Sequence, residues 1–105
     1  MKYLVPIMHV VSIEQVLPCI ADPWKLRIIA QLDQRPDLPL LAKYLPGRYS
    51  EGLGVVMAKS GYREITFYSD GKVAVRMVDT REEAEKFINS MLSMALTKAL
   101  LQEEM

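Results

Sequence analysis

Between Leu53 and Val78 three β-rich runs follow one another, separated by Ser60-Gly61 and Asp70-Gly71. An Asp-Gly pair between two such runs is a strong hairpin signal, because a type I′ turn needs positive φ at both central positions. The pattern predicts strands over 53–59, 62–69 and 72–78, folded as a meander. Side chains alternate along a strand, so Ile65 and Phe67 should share one face, as should Val73, Val75 and Met77. An antiparallel meander with one apolar face has to cover that face with something.

The cover comes from two helical segments. Asp37 can cap a short helix that tolerates Pro39 in its first turn. Leu38, Leu41, Ala42 and Leu45 there recur at the i, i+3, i+4, i+7 spacing of a buried stripe, and Pro46-Gly47 stops it. The second helix starts at about Arg81, where Thr80 and Glu83 form a capping box and Glu82 and Glu83 suit the helix dipole. Its stripe runs Ala84, Phe87, Ile88, Met91, Ala95, Ala99, and a second stripe appears at Leu92, Leu96 and Leu100. The second stripe makes the helix end apolar on more than one face, which predicts self-association, most simply as a homodimer.

Upstream of the meander, Leu26 to Leu32 reads as a strand with Leu26, Ile28, Ala30 and Leu32 on one face. Residues 1–22 form an N-terminal extension with two readings. Leu4 to Ile13 is rich in Val and Ile and favours a strand, while Ser12 with Gln15 could cap a short helical turn over 13–17. Pro18 and Ala21-Asp22-Pro23 then force a turn. The fold class is therefore α+β: an antiparallel sheet of four or five strands with helices on one face. The 105 residues make one domain, with no boundary drawn inside it.

Composition excludes more than it identifies. Lysine plus arginine equals aspartate plus glutamate, so the net charge is zero and a general polyanion binder is not expected. The single cysteine, Cys19, allows no intrachain disulfide and suits a reducing cytoplasm. The apolar run from Tyr3 to Val11 is broken by Pro6 and His9 and has one positive charge ahead of it, so it does not read as a signal peptide. No stretch reaches the roughly 20 apolar residues of a membrane span.

Catalytic signals are weak. His9 and Cys19 cannot make a metal site without carboxylates, and as a nucleophile pair they lack a flanking motif. Gly52-Leu53-Gly54 precedes a strand instead of the helix a dinucleotide fingerprint requires. The seven methionines include Met57 and Met77 in strands and Met91 and Met94 on the last helix, where core filling explains them. No enzyme, cofactor or metal is expected. The sheet face away from the helices offers more. It should carry Arg27, Ile29 and Gln31, with Val56, Ala58, Glu64, Thr66, Tyr68, Ala74, Arg76 and Val78 from the meander. A mixed surface of that kind serves recognition or is closed by the N-terminal segment or a second copy. The candidate partner-binding residues are accordingly Arg27, Ile29, Tyr68 and Arg76 on the sheet, with Leu92, Leu96 and Leu100 on the helix.

The order of strand, short helix, three-stranded meander and long helix resembles one repeat of the TATA-binding-protein fold. The turn Phe67-Tyr68-Ser69-Asp70-Gly71-Lys72-Val73, followed by a Glu-rich helix start, is similar to the matching part of such a repeat. That family inserts phenylalanines between bases; here the phenylalanines are Phe67 and Phe87, the second on a helix. The nearer similarity is to small archaeal and bacterial proteins that join such a domain to a four-cysteine iron–sulfur module. It covers about Pro18 to Ala95. It is carried by Cys19-Ile20-Ala21-Asp22-Pro23-x-Lys25-x-Arg27, by Tyr44-Leu45 with Gly47 and Tyr49, by Ile65-Thr66-Phe67-Tyr68 and Lys72-Val73, and by Asp79 and Glu82-Glu83-Ala84. The cysteine cluster of that module has no counterpart here. The resemblance implies the fold and a redox-associated setting, without a cluster, a substrate or an activity. A non-enzymatic interaction or accessory domain is the expected function, with a nucleic-acid-binding module using the open sheet face as the alternative.

Overall fold

The computed structural model describes residues 10–18, 20, 24–45 and 47–103. Expectations for residues before Val10, for His9 and for Cys19 lie outside them. Six strands form one open antiparallel sheet: β1 Val10–Pro18, β2 Leu26–Leu32, β3 Gly47–Ser50, β4 Val55–Ser60, β5 Arg63–Tyr68 and β6 Lys72–Val78. Their order across the sheet is β1-β2-β6-β5-β4-β3. Two helices, α1 Leu38–Tyr44 and α2 Arg81–Glu103, complete the chain.

The expected α+β class stands, but with six strands instead of four or five; the strand reading of the N-terminal extension is the one formed, running further along the chain, to Pro18. The segment over 13–17 is the second half of β1 and not a helical turn, since Ile13 pairs with Ala30 and Val16 with Ile28. Residues 47–50 form an additional edge strand against β4, with Gly47 opposite Ala58. Glycine is required there, because a Cβ at Gly47 would overlap the Met57 carbonyl.

Both helices pack on one face of the sheet. Ile28, Ala30, Val56, Ala58, Ile65, Phe67, Val73 and Val75 from the strands join Leu38 and Leu41 from α1, Leu45 just after it, and Ala84, Phe87, Ile88 and Met91 from α2 in one core. Asp37 caps α1 by accepting a hydrogen bond from the Leu40 amide at 3.2 Å. Thr80 Oγ1 accepts from the Glu83 amide at 3.0 Å as a capping box requires, while Glu83 Oε2 accepts from the Asp79 amide at 3.0 Å, one residue before the expected Thr80 amide. Glu83 Oε1 also meets Arg63 Nε at 3.0 Å, tying the start of α2 to β5.

The stripes on α2 are one stripe. Leu92 is 1% exposed and Ala95 is fully buried, so both belong to the core with Met91. Successive residues at i and i+1 spread a helix face by about 100° and still fit a broad contact with a sheet. The second apolar face expected at Leu92, Leu96 and Leu100 is thus smaller, since Leu92 is in the core. Leu96 is half-buried against the core, Leu101 is exposed, and the Leu100 side chain lies outside the described set.

Turn geometry departs from expectation at Asp70-Gly71. Only Gly71 has positive φ, at 94°, and its amide donates to the Tyr68 carbonyl at 3.1 Å. Ser69, Asp70 and Gly71 therefore make a three-residue loop, a tight turn followed by a left-handed glycine, instead of a two-residue I′ turn. At Gly61-Tyr62 the positive φ falls on the first central residue, the pattern of a II′ turn.

Candidate functional site

The uncovered face of the sheet is defined by strand parity, and two local features set that parity. The first is a bulge in β6. Leu26 pairs with Val78 and Arg27 with Arg76, so Met77 is an extra residue bulged between the two register pairs. Met77 sits at φ 65°, in the left-handed region. That conformation costs a non-glycine residue roughly 1–2 kcal/mol. In return Val78 points into the core, where it is fully buried. The expectation that Met77 follows Val73 and Val75 inward, with Val78 on the open face, is corrected by this bulge.

The second feature is the register of β4. Val56 pairs with Phe67 and Ala58 with Ile65, so Val56 and Ala58 face the core. This corrects the expectation that both lie on the open side. The residues that stand there are Val55, Met57 and Lys59, opposite Tyr68, Thr66 and Glu64.

With parity fixed, the open face can be read strand by strand. Arg27 lies opposite Arg76, which lies opposite Glu64, which lies opposite Lys59, in one row across β2, β6, β5 and β4. The adjacent row runs Ile29, Ala74, Thr66, Met57 and Arg48. Arg76 Nη2 pairs with Glu64 Oε2 at 2.8 Å. Among the described residues, Arg27, Arg48 and Lys59 have no carboxylate within ion-pair distance. Like charges directly opposite one another, as Arg27 and Arg76 are, work against sheet stability.

Two hollows lie on this face and share Met57, Glu64 and Thr66. One, of about 440 Å³, is lined by Arg27, Tyr68, Ala74 and Arg76, with Ile20 at its rim. The other, of about 520 Å³, extends to Gly47, Arg48 and Lys59. Together they make a shallow trough that crosses the strands from β2 to β3. Its floor is apolar at Ala74, 7% exposed, while Met57 stands out at 44%.

Of the residues singled out from the sequence, Arg27, Ile29, Tyr68 and Arg76 are brought together on this face. Leu92 belongs to the core, and Leu96 lies half-buried on α2, on the helix-covered side. Sequence reasoning missed Arg48, Met57 and Lys59. The available signal was cross-strand pairing with the Ile65-Thr66-Phe67 run, which forces Met57 onto the side opposite Phe67. Among the described residues no cluster of His, Cys, Asp or Glu has metal-binding geometry, and no helix is long and apolar enough to cross a membrane.

The fold and face define a two-layer α+β domain with one sheet face open. Comparison with protein families, curated proteins and solved structures returns no match to this chain.

Proposed function

We propose that this chain is a non-enzymatic interaction domain that holds a protein partner against the open face of its sheet. The observation that carries the reading is the contrast in side-chain use across β2, β6, β5 and β4. One set of alternating residues is buried under the helices. The other set presents apolar and cationic groups together, around a shallow trough. Such a combination gives both buried area and orientation to an incoming surface. The iron–sulfur-associated domains that the sequence resembles make redox proteins the first partner class to try, and a second copy of this chain competes for the same face.

Photo-crosslinking tests this reading. A photoreactive residue at Thr66, on the open face, should trap a discrete partner in the native cell. The same residue at Lys86, exposed on α2, should not. Trapping from Lys86 alone would move the interface to the helices and end the proposal. A cross-linked product of twice the chain mass from Thr66 would assign the face to self-association.

A further inference from the structure

The partner's chemistry can be narrowed, taking the open face as the docking surface. The chain as a whole has no net charge, yet the open side of β2 to β6 carries Arg27, Arg48, Lys59, Lys72 and Arg76 against Glu64 alone among the described residues, with the exposed Glu14 beyond them at the β1 bulge. The carboxylate of Glu64 is committed to Arg76 at the middle of the trough. The unpaired cations stand at its two ends, Arg27 on β2 and Arg48 with Lys59 on β3 and β4. Between them lie Ala74, Thr66 and Met57, which offer no charge.

We infer that the trough takes an extended protein segment with an acidic side chain at each end and uncharged, partly apolar residues between. From β2 to β3 there are four interstrand gaps, or roughly 19 Å at about 4.8 Å each. An extended chain advances about 3.3 Å per residue, so the two acids stand about six residues apart. The guanidinium of Arg27 and that of Arg48 can each take a carboxylate in bidentate fashion. The middle of the segment rests on Ala74, Thr66 and Met57.

A nucleic acid fits this layout less well. Its phosphates repeat at every nucleotide, which sets negative charge over Glu64 as well as over the arginines. Tyr68 is the one aromatic side chain on the open face of the strands among the described residues, too few for a stacking platform.

The test is a titration of the full-length chain followed by NMR, using capped peptides. The probe carries two glutamates six positions apart, with valine and threonine between them; its control has glutamines in their place. The expected result is saturable shifts at Arg27, Thr66, Ala74 and Arg48 with the glutamate peptide, and binding at least about fivefold weaker for the control. Arg27→Gln and Arg48→Gln should each weaken binding about threefold, and the pair together about tenfold. Raising the salt should weaken it further. Equal binding of both peptides, or shifts on the helix side, overturns the inference. So does a single-stranded oligonucleotide that saturates the same residues at lower concentration. Absence of any peptide binding while the Thr66 crosslink still traps a protein removes this inference and leaves the interaction-domain reading intact. Absence of the crosslink as well removes both.

Discussion

The two faces of the sheet are built from the same strands, often from adjacent residues, and they obey opposite rules. Phe67 is fully buried beneath the helices, while its neighbours Thr66 and Tyr68 stand on the open side. Among the described residues every buried side chain is apolar, and Arg63 and Glu83, which pair on the covered side, stay partly exposed. On the open face arginine opposes arginine and leucine-sized side chains are scarce. The covered face holds most of the core; the open face sets Arg27 opposite Arg76, an arrangement that works against stability. Local rules broken on one side of a sheet mark that side as the place to look for a role beyond folding.

The comparison breaks most visibly at Phe67. Phe67→Ala should cost about 3–5 kcal/mol in urea unfolding, because it removes a fully buried ring and leaves a cavity. Thr66→Ala, one residue away on the other face, should cost under about 1 kcal/mol. Equal losses would mean that the open face is part of the core after all.

The β6 bulge sets which residues belong to which face: regular alternation after Arg76 would turn position 77 inward and Val78 outward, and the extra residue Met77 keeps Val78 opposite Leu26. Val78→Ala should therefore cost about 2 kcal/mol in the same unfolding experiment, close to the value of burying one valine. A variant that unfolds with the parent would show that the bulge does not carry Val78 into the core.

A smaller effect is expected where the faces meet the turn. Gly71→Val places a Cβ at φ 94°, with Gln31 Nε2 at 2.7 Å and the Gln34 carbonyl oxygen at 3.2 Å from it. The penalty should be about 1–2 kcal/mol, seen as a lower Tm. No change in Tm would mean that the loop adopts another conformation.

Much of the fold was legible in the sequence, because strong local signals agreed with one another. The meander, the Asp37 cap, the Thr80–Glu83 pair and the stripes of both helices follow from turn residues, caps and periodicity. What was not legible depends on pairing. Val55 and Val56 are both apolar and both buried, so alternation could not tell which faced the helices. Met77 carries no glycine to betray its left-handed backbone, and Gly47–Ser50 is too short to show a strand period. The candidate site was half visible. Arg27, Ile29, Tyr68 and Arg76 follow from correctly phased strands, whereas Arg48, Met57 and Lys59 needed the registers of β3 and β4.

The central claim is that folding and recognition are divided between the faces, and one double variant tests it directly. Arg27→Gln combined with Arg48→Gln changes only exposed or half-exposed cations that have no acidic partner among the described residues. Its unfolding midpoint and its recovery of the partner trapped through Thr66 are measured side by side with the parent. The account predicts an unfolding free energy within about 0.5 kcal/mol of the parent and partner recovery reduced about tenfold. Recovery equal to the parent's, or loss of stability in step with loss of recovery, would contradict it.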